Sequence, residues 1–377
     1  MALITYVTKI HFADEVLEEA LNAEIAARSL QRPMVVTDSD LVSCGLVERV
    51  LDAIKSPAKP IIHAEPPANP TESACRRAAA RFRDHDCDGL IAFGGGSSID
   101  MAKAAGLLVG HEGPLADYAA VEGGIGRVRD RIPPLIAIPT TAGTGSEVGR
   151  STAIVVEDGR KLAIQSPHLV PSVAICDPTL TLDLPPDLTA GTGMDALSHC
   201  VETYVATAYN PPADGIALEG LGRAAANIER AVEHGHDLNA RREMMAAAMN
   251  GALALQKGLG GVHAMSHALG NGENPTLHHG TLNAILLPHV VAFNAPAVGD
   301  RYMALKQAMG LKADSDLADG IARLSERLGL PTGLAALGLD RAMIERAAPL
   351  AEDDLSNSTN PRRAVTTDYQ ALMEAAL

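Results

Sequence analysis

The chain has 377 residues, 47% of them hydrophobic and 20% charged, with a formal net charge of −15. That length is about two domains' worth of material. The acidic balance excludes nucleic acid, whose affinity depends on phosphates neutralised by Lys and Arg, and disfavours an anionic membrane surface.

The start of the chain, MALITYVTKIHFADE, lacks the charged head and long apolar run of a secretory signal, and the longest uninterrupted apolar stretches fall short of the roughly 20 residues of a membrane span. Four short apolar runs then follow one another: Met34–Thr37, Gly89–Phe93, Leu135–Ile138 and Val173–Cys176. Each ends in Gly, Pro, Asp or Thr, and helical patterns separate them. Strands alternating with helices predict an α/β domain, a parallel Rossmann-like sheet covered by helices, over residues 1–181. After Thr181 the texture changes. LDLPPDLTAGTG reads as a loop entering a helix, and the stretches Asp214–His234 and Asn239–Leu259 are rich in Ala, Leu, Glu and Arg. An all-helical domain is expected over 182–377. The five cysteines are odd in number, widely spaced and contain no CxxC, which points to free thiols in a reducing, cytoplasmic compartment.

Two turns in the first half are candidates for ligand contact. LIAF runs into Gly94-Gly95-Gly96-Ser97-Ser98-Ile99-Asp100, and Met101–Leu108 has a helical pattern. A strand, a glycine turn and a helix start gather backbone N–H groups around one point, as a phosphate requires, and Ser97 and Ser98 add hydroxyl donors. The plain alternative is a tight turn. The second turn, PTTAGTGSE over 139–147, is rich in hydroxyls between apolar segments; the alternative is a surface loop. Two such turns at the ends of parallel strands favour a shared crevice. Asp38 closes an early strand, where it either accepts from a ribose 2′-OH, favouring NAD over NADP, or caps a helix.

Eight of the 13 histidines lie between 199 and 289. Asp195 and His199 are spaced i, i+4, as are His263 and His267, and His278-His279-Gly280 follows. On helices such spacing places two side chains on one face. One carboxylate and three imidazoles suit a divalent cation that leaves a position open for a substrate oxygen. Such an ion polarises a carbonyl and lowers the pKa of an alcohol. For any single histidine, a hydrogen-bonded structural role is the alternative. Hard N and O donors without sulfur suit Fe(II), Zn(II), Mn or Co.

Taken together, GGGSSIDMAKA, IPTTAGTGSEV, GTGMDALSHCVE, GGVHAMSHALG and HHGTLNAILLPHV resemble the iron-containing, group III alcohol dehydrogenases, from about Val35 to the near-terminal Asn360–Arg362. The resemblance implies a dinucleotide-binding α/β domain, an all-helical domain and an active site between them. It implies metal ligands Asp195, His199, His263 and His279, with His278 the fallback for the last, and Fe(II) as the metal with Zn(II) the alternative. It makes His267 a catalytic histidine near the nicotinamide. For NAD it implies Gly95, Gly96, Ser97 and Ser98 at the pyrophosphate, Thr140, Thr141, Thr144 and Lys161 along the cofactor, Asn69 near the adenosine, and Asp38 as the NAD-selecting acid. A homodimer is implied as well. Two departures stand out: 268–277 is about two residues longer than the family pattern, and HFAD replaces a glycine-bearing turn near the start.

The reaction expected is transfer of a hydride between NAD and a small primary alcohol or aldehyde. Arg150, after GSEVG, is a candidate to hold a carboxylate, phosphonate or sulfonate tail on the substrate; the alternative is a solvated arginine. Rival readings within the fold are a maleylacetate reductase and a dehydroquinate-synthase-like enzyme, the latter disfavoured because its cluster of phosphate-binding Lys and Arg is not found in the second half. A non-enzymatic metal-binding protein is disfavoured by the intact Asp and His set.

Overall fold

A computed structural model describes residues 4, 6, 8–55, 59–65, 69–270 and 277–377. Most of the lengthened segment before His278, residues 271–276, lies outside the described residues, as do residues 1–3, 5 and 7 of the start. The first part of the chain runs β1 (Ile10–Phe12), α1 (Leu17–Ala27), β2 (Pro33–Val36), α2 (Ser39–Ser43), α3 (Val47–Ala53), β3 (Ile61–His63), α4 (Glu72–Asp84), β4 (Gly89–Gly94), α5 (Gly96–Gly110), β5 (Leu135–Pro139), β6 (Ser151–Val155), β7 (Lys161–Gln165) and β8 (Val173–Cys176). Helices follow: α6 (Pro186–Val205), α7 (Pro211–Glu233), α8 (Leu238–Ala254), α9 (Gly261–Leu269), α10 (His279–Val298), α11 (Arg301–Ala308), α12 (Leu317–Arg327), α13 (Arg341–Asp353) and α14 (Thr366–Ala375).

Six strands form one parallel sheet in the order β1-β8-β5-β4-β2-β3. The expected parallel α/β sheet is present. β1 and β3 were not anticipated, because three residues are too few to show a period. The central strands are buried on both faces. Met34, Val36, Leu90, Ala92, Leu135 and Ala137 pack with α4 and α5, while Val35, Ile91, Phe93, Ile136 and Ile138 pack with α1 and α3. Alternate residues thus serve two cores, which is why these strands read as unbroken apolar runs. Order reverses between β2 and β4: the chain leaves β2 for the edge at β3, returns to β4, then proceeds the other way through β5 and β8. Crevices that bind ligands form at such reversals, beyond the carboxyl ends of the strands.

β6 and β7 form a separate antiparallel hairpin that the sequence reading missed. Its signal was there: STAIV and KLAIQ alternate buried and half-buried residues around Asp158-Gly159, and Gly159 has a φ of +86°. A buried cation ties the hairpin to α5. Lys103 Nζ donates to the carbonyls of Ser146 (2.7 Å), Gly149 (2.9 Å) and Ser151 (2.8 Å) and to Ser146 Oγ (3.0 Å). Asp100 accepts from Ser146 Oγ (2.6 Å) and from the Ala153 N–H (3.0 Å). Burial pulls the Lys103 pKa down to about 8, with Asp100 opposing the shift.

The chain divides into two compact units. One takes in the described residues of 6–141 and 146–181; the other contains 142–145 and 182–377. The four-residue segment groups with the helices because its glycines meet them closely. A Cβ on Gly143 would lie 2.8 Å from Thr192 Cβ, and one on Gly145 2.2 Å from Ala252 Cβ. Within the helical unit, α10 is long and apolar enough to cross a bilayer by length and composition, although polar residues and prolines interrupt its apolar runs, and 61% of its apolar window is buried inside the protein. It is a core helix: it packs on α6, α9 and α12 and carries His279, Asn283 and Asn294.

Replacing Lys103 with Met would leave four oxygen acceptors without their shared donor. We expect Lys103→Met to lower the unfolding free energy by about 3–5 kcal/mol, read as a fall in the urea midpoint of the sheet-containing unit.

Candidate metal centre and dinucleotide site

Three helices of the helical unit deliver the ionisable cluster. Asp195 and His199 stand one turn apart on α6, His263 and His267 one turn apart on α9, and His279 opens α10. Asp195 Oδ1 is the common point: His263 Nε2 lies 3.6 Å from it, and His199 Nε2 and His279 Nε2 each 3.7 Å. Ligands about 2.1 Å from a tetrahedral cation are roughly 3.4 Å apart, so the spacing suits an ion among them. One donor atom each from Asp195, His263 and His279 lie within 4.8 Å of one another. His199 is not part of that triad; its ring stacks on His263 at 4.6 Å between centroids. His278 is turned elsewhere: it precedes α10, its Nδ1 meets Thr281 Oγ1 at 3.0 Å, and its ring lies against Gly191.

Electrostatics follow from the packing. Burial works against the Asp195 charge, but His199, His263 and His279 together outweigh it and hold the carboxyl well below the usual carboxylate range. Burial takes His199 down to about 4. His263 is also opposed by burial, yet Asp195 and Glu202 lift it to about 9. The cluster is enclosed on most sides, with Asp195 2% exposed, and opens where the His267 and His279 side chains are 19% and 26% exposed. These two rings stack, 5.5 Å apart and 9° from parallel.

Close backbone contact makes the geometry possible. A Cβ on Gly280 would lie 2.1 Å from the Gly191 carbonyl oxygen, and one on Gly191 would lie 2.6 Å from the His278 ring. Only glycine at both positions lets α10 come near enough to α6 to bring His279 to Asp195.

In the sheet-containing unit the two polar turns are neighbours. Gly94 pairs with Pro139, and the Thr140 N–H donates to the Gly94 carbonyl (3.1 Å). A Cβ on Gly95 would touch Thr141 at 3.4 Å. The glycine turn is shorter than the sequence suggested: Gly95 precedes α5, which already includes Gly96, Ser97 and Ser98, so the turn is itself a helix N-terminus. Gly94 has a φ of +149°, and a Cβ there would lie 2.5 Å from Ser98 Oγ. Asp38 sits beside this turn, across the order reversal. Its Oδ1 accepts from the Leu41 N–H (2.8 Å) as the cap of α2, and its Oδ2 lies 3.5 Å from Ser98 Oγ. The capping alternative is therefore realised, and burial raises the carboxyl pKa. Lys161 Nζ donates to Asn69 Oδ1 (2.9 Å), joining two positions far apart in sequence. Thr144 belongs to the 142–145 segment grouped with the helices. Arg150 is exposed just before β6, and among the described residues no side-chain hydrogen bond or ion pair engages its guanidinium.

Residues 7–178 match the iron-containing alcohol dehydrogenase family, and residues 189–377 the C-terminal part of the Fe-containing alcohol dehydrogenase family. The chain belongs to the iron-containing alcohol dehydrogenases. It is 48% identical, over 100% of both chains, to a 4-hydroxybutyrate dehydrogenase of Cupriavidus necator. Among solved structures it resembles an alcohol dehydrogenase from Oenococcus oeni, with a TM-score of 0.92 and 30% identity over 100% of both chains. It also resembles a sulfoacetaldehyde reductase from Bifidobacterium kashiwanohense in complex with NAD+, with a TM-score of 0.88 and 28% identity over 100% of this chain and 99% of that one. The protein is an NAD-linked alcohol/aldehyde oxidoreductase, and its family implies a metal.

Three residues of this dehydrogenase's cluster escaped the sequence reading. Glu202 accepts from His263 Nδ1 (2.6 Å), Asp354 lies 3.0 Å from His267 Nδ1, and Asn283 Nδ2 donates to Asp195 Oδ1 (2.8 Å). Glu202 extends the Asp195–His199 face by another three residues of helix, and Asn283 stands i, i+4 from His279, so both had a usable spacing signal; Asp354 gave none. The NPR motif is structural. Asn360 and Asn294 exchange two 2.9 Å hydrogen bonds, and Asn360 Oδ1 accepts the Gly261 N–H that opens α9.

Gly280→Ala should cost about 1–3 kcal/mol through overpacking and lower the metal bound per chain, whereas Gly215→Ala, with open space around it, should do neither; melting curves and metal analysis read both. In the metal-free protein His263 keeps its proton until about pH 9, and a cation must displace it. Metal affinity should therefore rise with pH between 6.5 and 9, by about tenfold per unit where one proton is released; chelator-buffered titrations check this.

Proposed function

We propose that the enzyme oxidises a small primary alcohol with an anionic tail, 4-hydroxybutyrate or a chemical equivalent, and reduces the matching aldehyde. The observation that carries this reading is the 48% identity over the full chain to 4-hydroxybutyrate dehydrogenase. Likeness to a sulfoacetaldehyde reductase, whose substrate carries a sulfonate, supports the same class. Arg150, exposed and without a side-chain partner among the described residues, is the candidate to pair with the tail in an otherwise acidic protein.

Asp195, His199, His263 and His279 would hold the metal, which we read as Fe(II) with Zn(II) the alternative. The all-N/O donor set and its spacing around Asp195 Oδ1 support this. When bound, the ion supplies Lewis-acid stabilisation of negative charge on a substrate oxygen. His267, at the open side of the cluster and 3.0 Å from Asp354, is read as the group that takes up or returns a proton. The backbone N–H groups that open α5, with Gly95, Gly96, Ser97 and Ser98, suit the pyrophosphate of NAD. Thr140, Thr141, Thr144, Lys161 and Asn69 are read along the rest of the cofactor. The Asp38 carboxylate repels a 2′-phosphate and so selects NAD, a role compatible with its capping of α2. The division of labour is thus dinucleotide binding in residues 1–181 and metal binding in 182–377. Free cysteines, four of them buried, fit the reducing cytoplasm, and the family resemblance supports a homodimer.

Steady-state kinetics with NAD test the substrate. The kcat/KM for 4-hydroxybutyrate should exceed that for 1-butanol by about 10–100-fold, the size of a charge-assisted contact. Arg150→Ala should remove most of that preference by raising KM for the acid alone. Equal values for the two alcohols in the native enzyme would refute the anionic-tail reading.

A further inference from the structure

Glu202 is a carboxylate buried to 3% exposure, and among the described residues no Lys or Arg forms an ion pair with it. A buried carboxylate is costly unless donors satisfy it. Its donors here all come from α9. The Val262 N–H donates to Oε1 (2.7 Å), the His263 N–H to Oε2 (3.4 Å), and His263 Nδ1 meets Oε2 at 2.6 Å. The helix N-terminus adds a favourable dipole. Room for the carboxylate depends on Gly260, where a Cβ would lie 2.8 Å from Glu202 Oε1.

We propose that Glu202 is a positioning residue of the metal centre: by accepting the Nδ1 proton of His263 it fixes that ring's tautomer and leaves Nε2 as the donor toward a divalent cation shared with Asp195 and His279. A carboxylate cannot donate, so the proton of this 2.6 Å contact belongs to Nδ1. The proton that a cation displaces is then the one on Nε2, which lies 3.6 Å from Asp195 Oδ1. The negative charge behind the ring also makes its nitrogen a stronger donor. Glu202 thus acts at one remove: it touches the ligand, not the cation. Helix capping and tautomer control are separable, because the carbonyl oxygen of a glutamine still accepts the Val262 N–H, while its amide group donates to Nδ1 and moves the ring proton to Nε2.

This inference rests on the reading that Asp195, His263 and His279 hold the cation, and the test separates the two. Zn(II) and Co(II) affinities are measured by chelator competition on the full chain, with melting of the metal-free proteins alongside. Glu202→Gln should weaken both affinities about 10–100-fold and shift the visible Co(II) spectrum, with little change in metal-free melting; Asp195→Asn should weaken them as well. If Asp195→Asn loses the metal but Glu202→Gln binds as tightly as the native protein, the role of Glu202 is refuted and the metal reading stands. If the native protein takes up neither ion, or Asp195→Asn leaves affinity unchanged, the metal reading falls and the role of Glu202 with it. Should Glu202→Gln fail to fold, histidine 15N NMR of the native Zn(II) protein decides: protonated Nδ1 with metal-shifted Nε2 on His263 is expected, and the reverse assignment overturns the proposal.

Discussion

The helical unit is organised around one buried carboxylate. Asp195 lies at the centre of three imidazoles, with their Nε2 atoms 3.6–3.7 Å from a single oxygen. Burial penalises its charge, and the surrounding imidazoles and the Asn283 amide, or a cation among them, make that charge tenable. The helices follow from this need. α6 carries the carboxylate, α9 approaches through contacts from Glu202 and Asn360, and α10 approaches through the glycine-on-glycine contact of Gly191 and Gly280.

In the proposed reading the sheet-containing unit meets a different requirement, that of receiving a phosphate with backbone groups. Its solution is a sheet whose order reverses between β2 and β4, so that Asp38 and the glycine turn adjoin. Lys103 then holds the end of the threonine-rich turn onto α5 through three carbonyls and a hydroxyl. Asp100 and Lys103, part of the same motif as the glycines, serve this anchoring. The motif thus joins the start of α5 to a structural anchor for the hairpin.

Dehydrogenation joins these requirements in one enzyme. Alcohol oxidation needs negative charge stabilised on oxygen, a hydride acceptor held in place and a route for a proton. In the proposed reading, the Asp–His cluster, the N-terminus of α5 with its neighbouring turns, and the His267–Asp354 pair each answer one of those needs. The partial exposure of His267 and His279 marks the open side of the cluster.

Periodicity and punctuation along the chain determined the parallel sheet, the helical second half and the two i, i+4 pairs, because helices and buried strands impose local repeats that any single segment displays. They also supplied the choice between turn and helix start at Gly95 only approximately, since a glycine cap and a tight turn share residues. What tertiary structure alone decided was contact between distant segments. It brought His279 to Asp195 and turned His278 toward Thr281, as the backbone approach at Gly280 requires. It paired Lys161 with Asn69, and brought Asp354 to His267 and Asn283 to Asp195. Such partners lie up to about a hundred residues apart, and no local pattern carries them, because side-chain convergence is set by how helices and strands pack rather than by the order in which they are made.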